Sequence, residues 1–193
     1  MATDFWRNPN FEPKRGFRFL VQLSLPSAEG LQDVTFLAKS VDKPSYSIST
    51  SEHQFFNHTF YYPGRVTWNS IDLTLVDPVS PNASQLLYDY LESAGIRAPT
   101  NFNQSTATTI TKATAVGAKT DLIIQEIATQ GGSNTSLVVG EWRLLNSFFT
   151  DVSFGSHDYG NEEMIDVSVT VQYDWAEYVT SDSPSPVDPA LRP

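Results

Sequence analysis

The sequence contains no cysteine among its 193 residues, which excludes disulfide bonds and thiolate metal sites. It also lacks an apolar run long enough to span a bilayer, and its N-terminus lacks the apolar segment of a secretory signal. We therefore expect no membrane anchor and assembly in a reducing cytoplasm. Basic residues are few: 12 Lys and Arg against 22 Asp and Glu give a formal charge of −10, which argues against tight binding of nucleic acid.

Motifs of catalysis and cofactor binding are missing as well. There is no Gly-x-Ser-x-Gly, no phosphate-binding GxxxxGK and no dinucleotide fingerprint. His53 and His58 lie an odd number of residues apart in a predicted strand, so we expect them to face opposite ways and not to share a metal. The loop with His157-Asp158 and Glu162-Glu163 is better interpreted as a solvated acidic loop than as a weak cation site. The chain is therefore predicted to be no enzyme and to need no metal or cofactor.

What the sequence does contain is β-strand patterning. Apolar and polar residues alternate in several short segments, and 12 prolines and 10 glycines punctuate the chain. This order predicts a mainly β fold, a β-sandwich or partly closed β-barrel with one packed α-helix and an extended hairpin. The predicted strands are Phe17–Leu25, Asp33–Val41, a strand pair within His53–Trp68 that flanks a turn at Tyr62–Arg65, Ile71–Leu75, Thr120–Thr129, Ser136–Phe154 and Ile165–Tyr178.

One helix is predicted near residues 81–94, where leucine, tyrosine and alanine recur at helical spacing. Ser80 is the expected N-cap, Pro81 the first helical residue and Gly95 the left-handed residue after the helix. Residues 96–119 show no clear period and are interpreted as an irregular excursion. The whole predicts a single β domain over residues 15–179, with a flexible arm over 1–14 and a Pro-rich tail over 180–193.

The segment from His53 to Trp68 has apolar side chains on both predicted faces. If it were one continuous strand before its turn, Phe56, Phe60 and Tyr62 would lie on one face, and Phe55 and Tyr61 on the other. Pro63 and Gly64 would form the turn that ends it. A strand with aromatic residues on both faces needs cover on both.

Three segments together resemble the tail-tube protein of contractile-tailed bacteriophages, a family related to the tube proteins of contractile injection systems. They are RFLVQLSL, FYYPGRVTWNSIDLTLVD and LLNSFFTDVSFGSHDYGNEEMIDVSVTVQYDW. The resemblance covers most of Arg18 to Tyr178. It leaves residues 96–119 and both ends unmatched, and Phe148–Asp151 replaces a segment in which the family commonly has proline.

The resemblance implies a structural protein of the virion tail. Members form hexameric rings that stack into a hollow tube, which conducts double-stranded DNA during ejection and contacts the sheath, baseplate and tail-terminator proteins. The two-faced segment would then be covered by the subunit's own core on one side and by a neighbouring subunit on the other. The inter-subunit residues expected on this basis are Phe55, Phe56, Phe60, Tyr61, Tyr62 and Arg65.

The negative charge suggests a channel lining that does not hold DNA. Lysine and arginine would bind phosphates at every ring, whereas carboxylates repel them. The candidates for the lumen lie opposite clean apolar stripes and are Asp166, Asp174 and, less favoured, Asp72. Two alternatives stay open at this stage. One is a tube-initiator or tail-terminator ring, and the other is a carbohydrate-binding β-sandwich with a platform of Trp68, Trp142, Tyr61 and Tyr62.

Overall fold

The structure is a computed structural model that describes residues 14–27, 30–33, 37–96, 110–129, 136–160 and 162–180. Within these residues the chain forms ten strands and two short helices, and neither helix has the length and apolarity to cross a membrane. The elements are β1 Phe19–Ser27, β2 Gly30–Asp33, β3 Ala38–Val41, β4 Tyr46–Phe55, β5 His58–Trp68, β6 Ile71–Val76, α1 Ala83–Ser93, α2 Lys112–Ala118, β7 Thr120–Thr129, β8 Ser136–Ser153, β9 Asp166–Gln172 and β10 Trp175–Thr180.

Eight strands form one curled antiparallel sheet in the order β2-β1-β7-β8-β9-β6-β3, with β10 also paired to β8. The remaining two strands, β4 and β5, pair only with each other in a separate hairpin. β8 is 18 residues long: its first half pairs with β7 and β10, and its second half pairs with β9. The predicted mainly β, partly closed barrel with an extended hairpin is confirmed.

The core lies on the enclosed face of the curled sheet. Alternate residues of the strands point there, as the period of two requires, and α1 covers them with Leu87 and Tyr90. The Tyr90 ring packs on Phe149 of β8 at a centroid distance of 4.5 Å. The most deeply buried strand residues are Val21, Leu23, Ile71, Leu73, Leu75, Leu122, Ile124, Leu144, Val167, Val169 and Val171.

The predicted helix is confirmed, but its N-cap is not Ser80. Asn82 caps α1, because its side chain accepts a hydrogen bond from the Gln85 amide at 2.8 Å. Asp77 accepts a further bond from the Ala83 amide at 3.0 Å. Gly95 follows the helix at φ 91°, the left-handed conformation predicted for it.

A second helix, α2, lies in the segment that was predicted to be irregular. Thr111 and Thr114 form a reciprocal capping box at its start, which satisfies amide groups that a seven-residue helix would otherwise leave open. Only Ala118 of α2 is fully buried. Because a helix of seven residues, three of them alanine, shows no apolar period, the sequence did not reveal it, and the prediction of one helix was wrong.

Two predicted strands are each divided in the structure. The segment Asp33–Val41 contains the last residue of β2 and the whole of β3, which pairs with β6 and not with β1. The segment Ile165–Tyr178 contains β9 and the first four residues of β10, separated by a bend at Tyr173 and Asp174. This bend shifts the side-chain alternation by one residue, so Trp175 does not share the buried face of Tyr173 and is half exposed.

The predicted arm and tail lie outside the described residues, apart from Lys14 and Thr180 at their inner ends. The boundaries of the single domain therefore stay a prediction.

Candidate assembly surface

The β4–β5 hairpin is exposed along nearly its whole length. Every residue of β4 is exposed, and in β5 only Trp68 is partly covered. An isolated two-stranded hairpin is only marginally stable in water. Apolar side chains that stay exposed on it contribute no free energy of burial to folding. Large apolar side chains that are between 44% and 89% exposed here are Tyr46, Ile48, Phe55, Phe56, Phe60, Tyr61, Tyr62 and Val66.

The hairpin turns at Phe56-Asn57, not at Pro63-Gly64. Phe55 pairs with His58, so the loop has two residues, and Pro63 and Gly64 lie inside β5. The register shifts where Ser49 faces Gly64 and Arg65, which makes a β-bulge. Ser49 Oγ accepts a hydrogen bond from the Arg65 amide at 2.9 Å, and a Cβ on Gly64 would lie 2.9 Å from the Ser49 carbonyl oxygen. Pro63 and Gly64, which were predicted to form the turn, therefore lie where β4 and β5 approach each other closely.

The turn at Phe56-Asn57 changes which side chains share a face of the hairpin, compared with the prediction. Directly paired residues of an antiparallel hairpin point the same way, so Phe55 lies on the face of Phe60 and Tyr62, while Tyr61 lies on the opposite face. The prediction that Phe55 shares a face with Tyr61 was wrong. For the same reason His53, opposite Phe60, and His58, opposite Phe55, lie on one face and not on two.

An aromatic cluster joins the hairpin to the rest of the domain. Trp68 lies at the end of β5 and packs against Tyr46 at 5.3 Å, Trp175 at 5.5 Å and Tyr173 at 6.0 Å between ring centroids. The Asn69 amide donates a hydrogen bond to the Ser45 carbonyl at 2.9 Å and closes the base. The hairpin is therefore anchored at its base, while its outer part stands clear.

A buried carboxylate lies near the same base. Glu126 continues the buried stripe of Leu122 and Ile124 on β7 and is 8% exposed. It forms ion pairs with Lys14 and with Lys43, which precedes β4. The Tyr178 hydroxyl lies 3.3 Å from the Glu126 Oε2, and Lys14 donates to that hydroxyl at 2.7 Å.

The charge of Glu126 is stabilised by these cations. Burial alone raises the pKa of the Glu126 carboxyl, but hydrogen bonds from Lys14 and Lys43 outweigh it, so its pKa lies below the ordinary value. The hydrogen bond to Glu126 in turn raises the pKa of the Lys14 ammonium group. Three separate parts of the chain, at Lys14, Lys43 and Tyr178, are thus tied to one strand.

The face of the curled sheet opposite the core is largely polar. Asp72 and Asp166 both lie there, since Asp72 pairs with Thr170 and Asp166 with Val76 in the β6–β9 ladder. Thr170 donates to Asp72 at 2.8 Å, and Lys39 forms an ion pair with Asp166. Polar residues continue this face across the other strands: Gln22, Thr74, Gln125, Glu141, Arg143, Asp151, Ser168, Gln172 and Glu177.

Asp174 is not part of that ladder. It lies in the bend between β9 and β10, where it forms an ion pair with Lys119 at 2.9 Å. The structure therefore brings two of the three predicted lumen residues to one face and leaves the third in the bend between β9 and β10. The prediction grouped Asp174 with Asp166 because it extended one strand through the bend.

The alternative platform of aromatic residues does not exist as one surface. Tyr61 and Tyr62 point to opposite faces of β5, and Trp142 packs against Tyr178 at 4.8 Å on the sheet. Trp68 lies in the aromatic cluster at the base of the hairpin. In the described part of the chain, no three His, Asp or Glu side chains converge as metal ligands would.

Two features of this region were missed at the level of sequence. Glu126 could have been found, because a carboxylate interrupts the apolar alternation Leu122, Ile124, Glu126. The hairpin turn at Phe56-Asn57 had only a weak signal, since Asn57 is a turn-former but Phe56 is not, and the stronger Pro-Gly pair lay nearby.

The fold is shared with solved components of contractile injection systems. A chain in the cryo-EM structure of the PVC sheath/tube terminator of an extracellular contractile injection system is 18% identical, and the match covers 89% of this chain and 99% of that one with a TM-score of 0.62. A chain from the tube-terminating cap of the anti-feeding prophage is 19% identical over 89% of this chain and 93% of that one, with a TM-score of 0.61.

A chain of the six-fold symmetrised baseplate of the anti-feeding prophage matches 90% of this chain and 99% of its own length at 13% identity, with a TM-score of 0.63. The sequence matches no protein-family model and no curated protein. The resemblance to tube proteins of contractile systems is therefore confirmed as a likeness of fold across most of the domain.

Proposed function

We propose that this chain is a structural, non-enzymatic subunit of the tube of a contractile tail or injection apparatus. The observation that carries this proposal is the exposed aromatic hairpin on a fold shared with components of a sheath/tube terminator, a tube-terminating cap and a baseplate. The subunit assembles with copies of itself, and the β4–β5 hairpin lies against a neighbouring copy.

The hairpin supports this role because its two faces carry different apolar groups. Phe55, Phe60 and Tyr62 occupy one face near the tip, and Tyr61 occupies the other. Contiguous exposed apolar surface of this extent is typical of a protein–protein interface, and aromatic residues dominate the energy of such interfaces. Arg65, beside the bulge, is proposed as a polar contact at the rim of the same interface.

Stacked hexameric rings are the proposed assembly. The six-fold symmetry of the baseplate in which a similar chain occurs supports a closed ring of six. The sheath and the baseplate are then the proposed neighbours of the tube, by analogy with the assemblies that contain its structural relatives. The arm over residues 1–14 and the tail over 180–193 are proposed to gain protection from hydrogen exchange when rings form.

The polar face of the sheet is proposed to line the channel. In this arrangement α1 and α2 face outward, and Asp72 and Asp166 face the passing cargo. Double-stranded DNA, as in a phage tail, is the proposed cargo because a lining rich in carboxylates does not retain phosphates.

Electron microscopy and sedimentation velocity of the purified chain test the assembly. The wild type should form rings or tubes, and a Phe60→Ser, Tyr61→Ser double variant should sediment as a folded monomer, since it loses an aromatic group on each face. The matched control is Val79→Ser, which removes an apolar side chain that is 97% exposed but lies outside the hairpin, between β6 and α1. A wild type that stays monomeric at every concentration would contradict the proposed function.

The same electron micrographs distinguish a tube subunit from the second candidate role, a terminator or initiator ring. Since a chain from a tube-terminating cap shares the fold at the same level, a terminator or initiator ring fits the structure too. Long tubes from the wild type indicate a tube subunit, whereas isolated rings at all concentrations indicate a terminator or initiator.

A further inference from the structure

Phe56 has the least favourable position of any aromatic residue at the hairpin tip. It is 89% exposed, and it occupies the two-residue turn at φ 52°. Two-residue hairpin turns place glycine or asparagine where φ is positive, because a bulky side chain is strained there. The Phe56 ring packs edge-on against Phe55, itself exposed, at 4.6 Å between centroids. A strained residue that is almost fully exposed indicates a function outside the subunit.

A cleft with complementary chemistry lies at the other end of the hairpin. It has a volume of about 720 Å³ and lies between the segment before β1, strand β3 and the end of β7. Phe17, 72% exposed, and the partly buried Phe19 and Ile127 supply apolar surface. Five cationic residues also line it, although the whole chain has only 12, and they are Lys14, Arg15, Arg18, Lys39 and Lys43. One carboxylate of the lining, Glu126, pairs with Lys14 and Lys43, and Lys39 pairs with Asp166, so the cleft keeps an excess of positive charge.

Cations above apolar surface suit an aromatic ligand. Ammonium and guanidinium groups bind the faces of aromatic rings, and one such pair, Arg18 with Phe17, lies in the cleft. The Arg18 guanidinium lies 5.8 Å from the Phe17 ring centroid. The ammonium group of Lys14, which also lines the cleft, lies 5.3 Å from the ring centroid of Tyr178 outside it.

The hairpin of the same subunit cannot fill this cleft. Lys43 lines the cleft and lies three residues before Tyr46, where β4 begins, so the hairpin departs from the cleft. Ten residues of strand carry the tip about 33 Å away. The aromatic tip can therefore reach a cleft of this kind, lined by cations and apolar side chains, only in another copy of the chain.

We propose that Phe56, with Phe55 beside it, inserts into the Lys43–Phe17 cleft of a second copy of this chain. This inference rests on the proposed function and identifies the receiving site for the hairpin. The contact is head to tail, since a subunit offers its tip to one neighbour and its cleft to another. Successive clefts would lie about 33 Å apart, one hairpin length.

The first test is Phe56→Gly, which suits the positive φ of the turn. The unfolding midpoint of the monomer should not fall, because Phe56 is nine-tenths exposed and glycine adopts a positive φ without strain, while the concentration needed for assembly should rise about tenfold or more. Phe56→Tyr, which keeps the ring, should assemble as the wild type does. The proposal would be overturned if Phe56→Gly assembled at the same concentration as the wild type. It would also be overturned if Phe56→Tyr weakened assembly as much as Phe56→Gly does.

The second test uses the absence of natural cysteine. A chain with Asn57→Cys and Ser40→Cys places one thiol at the tip and one in the cleft, and oxidation of assembled protein should give a ladder of covalent multimers. The control pair, Asn57→Cys with Ser93→Cys on α1, should give none. Assembled protein without cross-links, or with cross-links only inside one chain, would overturn this inference and leave the proposed function intact. Absence of any wild-type assembly would instead contradict the proposed function.

Discussion

At the residue scale, Glu126 shows how one buried charge organises distant parts of the chain. A carboxylate in a stripe with Leu122 and Ile124 is costly to bury unless it is paired. Its partners come from the segment before β1, from the connection to the hairpin and from β10. Removing both lysines therefore has a larger cost than their own exposed positions suggest.

We expect Lys14→Ala and Lys43→Ala each to lower the free energy of unfolding by about 1 kcal/mol, because the second lysine still neutralises Glu126. The double variant should lose more than the sum, about 3–5 kcal/mol, since it leaves the buried charge unpaired. Urea unfolding measures both. Lys112→Ala on the exposed start of α2 is the control, expected within about 0.5 kcal/mol of the wild type. Strict additivity of the two lysines would contradict the shared role.

The pH dependence of stability follows from the lowered pKa of Glu126. A carboxyl group whose pKa is lower in the folded than in the unfolded state stabilises the fold above the unfolded value, about 4.3, and loses that contribution as pH falls through the folded value. The stability difference between wild type and Glu126→Gln should thus be largest near neutral pH and shrink in acid below about pH 4. Urea unfolding at a series of pH values checks this, and a difference that grows in acid would refute it.

At the element scale, local chemistry decided where helices and turns begin, and the strongest sequence signals were not always the ones used. Ser80 and Asn82 are both good N-caps, and the structure uses Asn82 because Asp77 holds the Ala83 amide just after it. Pro63 and Gly64 form a typical turn pair, yet they allow a bulge within β5. Local sequence thus predicts that the backbone departs from regular structure at these positions. Tertiary packing decides whether the departure is a turn, a bulge or a helix cap.

The cap can be tested by substitution. Asn82→Ala should lower the free energy of unfolding by about 1 kcal/mol, because the Gln85 amide loses its acceptor at the start of α1. Ser80→Ala should change it by less than about 0.5 kcal/mol. Thermal or urea unfolding distinguishes the two, and a larger effect at Ser80 would show that the predicted cap is the real one.

At the scale of the whole molecule, the curled sheet separates an apolar face from a polar one. α1 covers the apolar face, while Asp72 and Asp166 lie on the other with further charged and amide side chains. The hairpin stands outside both faces. This separation gives the subunit three distinct surfaces, proposed for outer contacts, channel and neighbouring copy.

The proposed channel lining predicts a gain of DNA binding on charge reversal. Asp72→Lys should leave ring formation intact, because Asp72 is exposed, but assembled particles should then retain double-stranded DNA at low salt and release it at high salt. Co-sedimentation of DNA with the particles measures this. Glu92→Lys on α1 makes the same change of charge on the helix-covered side and should not retain DNA. Equal retention by both variants would exclude Asp72 from the channel.

The sequence by itself determined the mainly β class, a helix near residues 81–94 with Gly95 after it, and the concentration of aromatic residues between Phe55 and Tyr62. These follow from side-chain period and capping chemistry, which act over a few residues. Only the tertiary structure decided that Phe55 joins the face of Phe60, that Trp175 leaves the face of Tyr173, and that Glu126 gathers two lysines. Each of these depends on strand register or on contacts between residues far apart in the chain, and a shift of one residue reverses every face.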